Sequence, residues 1–368
     1  MPGVYISYPF CAQKCTYCNF ASGVAPALET AYVNALVDEI QAFPWEWQPD
    51  TVYLGGGTPS RLDPATLARI LQAVPSQHGG WAEATMEAAP GGVTATLAAA
   101  WRTLGITRVS LGVQSFIERE LRQTGRRHTA DTVAREVDTL RAAGIADINL
   151  DLIAGLPHQT RESWRESLDW IGRLAPPHVS VYLLEVDSDS RLGLEIIGQG
   201  GRLGAQAVPS DDLMAEMYET AVDALAALGI ERYEISNFAQ PGHASRHNLK
   251  YWRLQPYAGF GSDAHGYDGR RWRTQNVEEP ADYVARWQRG ESMAAERTES
   301  QSDERLFVGL RLDEGVALSV AEWRKYEEPV ARFTAAGLVE RLGDRLRLTR
   351  RGVLVSNEVL QEFVNNPS

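Results

Sequence analysis

Cys11, Cys15 and Cys18 lie within eight residues at a CxxxCxxC spacing and are the only cysteines of the chain. An odd, clustered set is a poor disulfide framework, so the thiols read as metal ligands or redox groups in a reducing compartment. Thiolates are soft ligands that take zinc or assemble iron–sulfur clusters. Structural zinc has four ligands, and a [4Fe–4S] cube has four irons, so three cysteines leave one coordination position open. The nearest histidine in sequence is His78, so a zinc site needs a distant fourth ligand, whereas a cluster can offer its open iron to a substrate or cofactor. A second stretch with chemical potential is GGGTPS at 55–60. No Gly-Lys-Ser/Thr follows it and GxGxxG is incomplete, which removes the nucleotide triphosphate and dinucleotide readings.

These residues need elements to position them. VYISY (4–8), TVYLG (51–55), ATMEA (84–88), RVSLG (108–112), INLDL (148–152) and VSVYLL (179–184) are short runs of strand character. Between them, residues 29–43 carry Tyr32, Val33, Leu36, Val37, Ile40 and Phe43 on one helical face, and 63–74 carry Leu67, Ile70, Leu71 and Val74 likewise. Strands alternating with crossover helices make a parallel sheet. The expected fold is α/β: a partial (β/α)6 TIM-like barrel with a small C-terminal winged-helix-like domain. The polar and glycine-rich residues gather just after the strands, at the rim where such barrels build their sites.

The alternation fails over 187–211, which is rich in glycine and aspartate, and a helix is expected at 211–228. Helices near 318–326 and 327–337 precede LVERLGDRLRLT, a hairpin turning at Gly343-Asp344. The expected division is a barrel at 1–190, an insertion packing on it at 191–295, and the winged-helix-like unit at 296–368. A winged helix often reads DNA, but a net charge of −12 offers no basic face for it, so no nucleic-acid partner is expected. The start, MPGVYISYPF, lacks the basic and apolar regions of a signal peptide, and no run of about 18 apolar residues occurs, so neither secretion nor a membrane span is expected and a cytoplasmic location is.

CxxxCxxC directly after an N-terminal strand resembles the radical S-adenosylmethionine (SAM) superfamily. The longer set YISYPFCAQKCTYCNF, LGGGTPS, MEAAPG, RVSLGVQSF, the GR at 125–126, DLIAGLPHQT, RYEISNFAQPG and HNLKYW is similar to the oxygen-independent coproporphyrinogen III oxidase-like family over essentially the whole chain. That resemblance implies a [4Fe–4S] cluster on Cys11, Cys15 and Cys18, with SAM chelating the fourth iron and cleaved to methionine and a 5′-deoxyadenosyl radical. It further implies SAM contacts from Tyr5, Tyr17, Gly56, Gly57, Thr58, Glu87, Gln114, Arg126 and Asp151, and room for a second SAM.

Departures from the family pattern separate its branches. Phe20 stands where the oxidases keep a further cysteine, their N-terminal extension has no counterpart here, and Ser7, Ala89 and Ser262-Asp263 replace residues common in the family. Phe20 and HNLKYW are similar to the haem-chaperone branch, which implies haem carriage and delivery to a recipient haemoprotein, with a reductant such as flavodoxin or ferredoxin and a dimer as the assembly to test. The alternative is a radical SAM enzyme, either an oxidase acting on a tetrapyrrole or a methyltransferase. HNLKYW sets His247 and Tyr251 four apart with Trp252 alongside, which suits a haem contact. A histidine hydrogen-bonded inside a domain junction accounts for the same letters. His243 and His265 are further candidates in glycine-containing loops, and His78, His128, His158 and His178 read as surface or loop residues.

Overall fold

The computed structural model of the chain describes residues 1–76, 80–188, 190–300 and 303–364, with Val364 described for its backbone alone. Six parallel strands lead: β1 (Gly3–Tyr8), β2 (Thr51–Gly56), β3 (Glu83–Ala88), β4 (Arg108–Gln114), β5 (Asp147–Ala154) and β6 (His178–Leu183). They lie side by side in sequence order. Helices Pro26–Ala42, Pro64–Ala73, Ala95–Thr103, Ala130–Ala142 and Arg161–Leu174 make the crossovers. The helix starts follow from local sequence: Asp63 accepts from the backbone N–H groups of Ala65 and Thr66, and Thr160 forms a reciprocal cap with Ser163.

Parallel sheets are usually apolar on both faces, but this one is divided by the strand period of two. Val4, Ile6, Val52, Leu54, Ala84, Met86, Val109, Leu111, Ile148, Leu150, Val179 and Val181 are buried against the helices. The alternate positions carry Tyr5, Ser7, Tyr53, Gly55, Thr85, Glu87, Ser110, Gly112, Asn149, Asp151, Ser180 and Tyr182. A polar inner face over six strands is a surface built to meet a ligand.

The stretch after β6 extends the same sheet. β8 (Asn237–Ala239) pairs antiparallel with β6, and β7 (Glu231–Arg232) pairs antiparallel with β8 at the sheet's edge. β9 (Tyr257–Phe260) returns to pair parallel with β1, and β10 (His265–Tyr267), β11 (Trp272–Asn276) and β12 (Ala294–Glu299) continue outward, giving a twelve-stranded order among the described residues. The segment 187–211 holds a helix, Arg191–Ile197, and a 3-10 turn, Arg202–Ala207, and the helix expected at 211–228 runs Asp211–Ala227. Beyond residue 303, helices Val320–Lys325 and Glu327–Ala335 sit with a separate sheet of β13 (Val316–Ala317), β14 (Val339–Leu342) and β15 (Arg345–Leu348), ordered β13-β15-β14.

His128 lies in a loop, as expected, but is buried there, its ring nitrogen bonded to the Val113 carbonyl, and burial beside the Arg126 guanidinium pushes its pKa down to about 4. Two other histidine readings are corrected. His178 opens β6 rather than a loop and is buried between Asn149 and the Tyr233 hydroxyl. His265 stands in β10 rather than in a loop, and His78 lies outside the described residues.

Candidate functional site

The cysteine loop is held on three sides. The Cys11 N–H donates to the Gly23 carbonyl, and the Gly57 and Thr58 N–H groups donate to the Tyr8 and Phe10 carbonyls. Thr16 is tied to the end of helix Glu118–Thr124 through its N–H to the Thr124 carbonyl and its hydroxyl to the Gln123 carbonyl. A Cβ on Gly57 would stand 2.7 Å from the Pro9 backbone and 2.8 Å from that of Phe10, so this glycine serves the close approach of two strand ends. Gly56 has φ +99°, a left-handed conformation that favours glycine. The Thr58 hydroxyl lies 3.5 Å from the Cys11 sulfur.

Cys11, Cys15 and Cys18 are partly exposed at the mouth of a pocket of about 960 Å³. Tyr17, Gly56, Gly57, Thr58, Glu87, Gln114, Arg126 and Asp151 line the same pocket. Tyr5 stands deeper in the barrel, stacked on Tyr53 with ring centroids 6.1 Å apart. Arg126 reaches under the loop, donating from Nε to the Tyr17 hydroxyl at 3.2 Å and from Nη1 to the Gly112 carbonyl at 2.7 Å. Asp151 accepts from the Ser110 hydroxyl and the Asn149 amide, and burial raises its pKa. Glu87 accepts from the Tyr53 hydroxyl at 2.9 Å; burial, together with the nearby Asp151 carboxylate, pushes its pKa up to about 7.

Tyr53, Ser110, Asn149 and Tyr182 belong to this inner face and went unremarked in the sequence. Their signal was available: each falls in phase with a glycine or carboxylate already singled out on its own or a neighbouring strand.

The HNLKYW stretch is not brought to the pocket. It forms helix Arg246–Trp252 at the opposite end of the strands, where Glu83, opening β3, accepts from the backbone N–H groups of Arg246 and His247. His247 is fully buried with both ring nitrogens engaged, Nδ1 with the Thr51 hydroxyl at 2.9 Å and Nε2 with the Tyr251 hydroxyl at 2.7 Å. Burial pushes its pKa down to about 3. Trp252 faces the guanidinium of Arg311 at 4.3 Å, and His243 pairs with Asp147.

The Radical SAM superfamily model matches residues 5–171, and the HemN C-terminal domain model matches 299–355. Over 374 residues the chain is 33% identical to "Heme chaperone HemW" of Lactococcus lactis, covering 98% of this chain and 96% of the relative. The chain belongs to the HemW family. The protein of the same name from Escherichia coli K12 is 30% identical, covering 98% and 97%. In fold, this HemW-family chain matches the E. coli coproporphyrinogen III oxidase HemN, a radical SAM enzyme, with a TM-score of 0.82 at 20% identity, over 99% of this chain and 90% of that one.

The superfamily's cofactors are a [4Fe–4S] cluster and SAM, and the residues present fit both. Three thiols lining one pocket suit a cube whose fourth iron is left for a ligand. Below them, Gln114 sits at φ +69° beside a register shift in β4, and its buried side-chain oxygen has no hydrogen-bond partner. Strain and an orphaned acceptor at one position are the marks of a ligand contact. With two carboxylates, a guanidinium and a phenol around it, the pocket can receive an ammonium, a carboxylate and ribose hydroxyls together.

Proposed function

We propose that the chain binds haem and delivers it to a recipient haemoprotein, using a barrel that holds a [4Fe–4S] cluster and SAM. The observation that carries this reading is the match, end to end, to relatives named heme chaperones, joined with Phe20 in place of a further cysteine. Cys11, Cys15 and Cys18 hold the cluster. Tyr17, the glycine edge Gly56-Gly57-Thr58, Glu87, Gln114, Arg126 and Asp151 hold SAM, with Tyr5 supporting them from below. When bound, the cluster supplies one-electron reduction of the sulfonium. The protein's part is placement: Glu87 and Asp151 accept from the ammonium and ribose hydroxyls, Arg126 meets the carboxylate, and Tyr17 orients the guanidinium.

No helix among the described residues is long and apolar enough to cross a membrane, and a cytoplasmic setting with a flavodoxin or ferredoxin as reductant fits this chemistry. A dimer is tested by light scattering with and without haem. His247 and Tyr251, saturated by each other and by Thr51, serve in this reading as a structural bolt. The deciding experiment loads the protein with cluster anaerobically, titrates it with haem, and then adds an apo-haemoprotein while 5′-deoxyadenosine is measured. A Soret shift followed by transfer is expected. Absence of both, with a modified tetrapyrrole formed alongside 5′-deoxyadenosine, would replace the chaperone by an enzyme.

A further inference from the structure

Large apolar side chains are mostly buried in this protein, yet several that stand in solvent border the cysteine loop. Phe20 is 64% exposed, Val186 46%, Leu194 57% and Ile197 60%. Three hydrogen bonds lace together the two segments that carry them: the Asn19 amide donates to Asp187, the Arg191 guanidinium to the Lys14 carbonyl, and the Leu192 N–H to the Thr16 carbonyl, while within the loop the Lys14 ammonium donates to the Phe20 carbonyl. Helix Arg191–Ile197 buries Leu192 against Leu184 and Met214 and turns Arg191, Leu194 and Ile197 outward at three-residue spacing. Phe20 also lines the pocket mouth beside the thiols. The result is an apolar rim carrying two cations, Lys14 and Arg191, whose hydrogen bonds go to backbone carbonyls and leave further donors on each head group.

We propose that this rim is the haem-docking site: the porphyrin face lies on Phe20, Val186, Leu194 and Ile197, and the propionates meet Lys14 and Arg191. The proposal rests on the haem reading above and places the cargo at the cluster end of the barrel, away from His247. The occupant follows from the chemistry of the patch. An exposed apolar patch with two cations at the seam of loop and helix, where the Asp187 carboxylate is held by the Asn19 amide and Glu185 stands on the pocket side, suits a planar apolar ligand with anionic edges, and Phe20 connects the patch to the cofactor pocket.

The test uses the full-length, cluster-loaded protein and haem itself. Phe20→Ser/Leu194→Ser/Ile197→Ser should weaken haem binding at least about tenfold, since several apolar contacts are removed together. Lys14→Glu/Arg191→Glu should weaken it further as ionic strength falls, because like charge then faces the propionates. Iron content and SAM affinity are measured in parallel, and haem affinity is compared per cluster-loaded protein, because Lys14 and Phe20 also line the cofactor pocket. His247→Gln, which keeps a donor and an acceptor in the bolt, should leave haem affinity and the Soret position unchanged. A wild-type protein that binds no haem removes the chaperone reading and this site with it. If wild type binds haem and the rim variants bind it equally well, the site alone is overturned. Normal haem binding with lost transfer in the rim variants would also overturn it, marking the patch as a protein contact.

Discussion

Glu87 shows how one residue can be tuned by its surroundings. Its pKa stands near 7 against an ordinary 4.5, because burial and the Asp151 carboxylate both penalise its charge. The sign follows. Between about pH 4.5 and 7 the unfolded chain has ionised this group while the native chain still holds its proton, so stability falls as pH rises through that window. The loss is on the order of 1 kcal/mol per pH unit and levels off above about 7. Comparing urea unfolding of wild type and Glu87→Gln from pH 5 to 8 should show that slope in wild type and its reduction in the variant; parallel curves would contradict the assignment. If Glu87 accepts from the SAM ammonium as proposed, affinity for SAM should move the other way, rising as the carboxylate appears through pH 7, and Glu87→Gln should flatten that rise in a calorimetric titration. For the thiols, Cys11→Ala, Cys15→Ala and Cys18→Ala should each lose most of the iron and sulfide found in wild type after anaerobic reconstitution. A variant retaining its full iron content would remove its cysteine from the ligand set. The thiols were legible because cysteine is rare in this chain and their spacing is informative, whereas Glu87 was read from its place at a strand end and from the family resemblance. Tyr53 and Tyr182 were less so, since a tyrosine in a strand ordinarily reads as β-propensity alone.

At the scale of elements, the six strands and their crossovers were readable from short β-branched runs between amphipathic helices. β9 was not. Tyr257–Phe260 is four residues long, contains a glycine, and takes its meaning from pairing with β1, some 250 residues earlier, which no local pattern announces. The four-residue spacing of His247 and Tyr251 in HNLKYW was legible as one face of any helix there, but the role of the stretch was not, because its partners Thr51 and Glu83 come from distant strand starts. His247→Ala should therefore destabilise the fold by about 2–4 kcal/mol, leaving the buried Thr51 and Tyr251 hydroxyls unpaired beside a void. Denaturant unfolding measures this, and a cost below about 0.5 kcal/mol would mean the bolt is not structural. The glycine edge makes a parallel case. Gly57→Ala forces a Cβ into the Pro9 and Phe10 backbone, so it should lower cluster incorporation severalfold while far-ultraviolet circular dichroism stays unchanged. Full incorporation would show that the loop can shift to admit a methyl group.

For the whole molecule, the question is how the C-terminal unit is tied to the barrel. The connection passes through Arg311–Asp313: the Ile235 N–H donates to the Arg311 carbonyl, the Asp313 N–H to the Tyr233 carbonyl, and Arg232 pairs with the Asp313 carboxylate. At its centre is Glu234, fully buried, accepting from the Ser236 N–H and the Asn237 amide and paired with Arg311 at 3.4 Å. Arg311 in turn lies over Trp252, so one guanidinium joins the barrel edge, the HNLKYW helix and the C-terminal unit. A buried pair of this kind is poor evidence of net stabilisation, but removing one member strands the other charge in a dry site. Arg311→Ala should thus cost about 3–5 kcal/mol, while the double variant Arg311→Leu/Glu234→Gln should recover a substantial part of it, because the uncompensated carboxylate is gone. The measurement is urea unfolding followed at two probes, tryptophan fluorescence and far-ultraviolet circular dichroism. In Arg311→Ala the two transitions should separate, with the C-terminal unit releasing first. Coincident transitions at the wild-type midpoint would mean that this junction does not hold the two parts together.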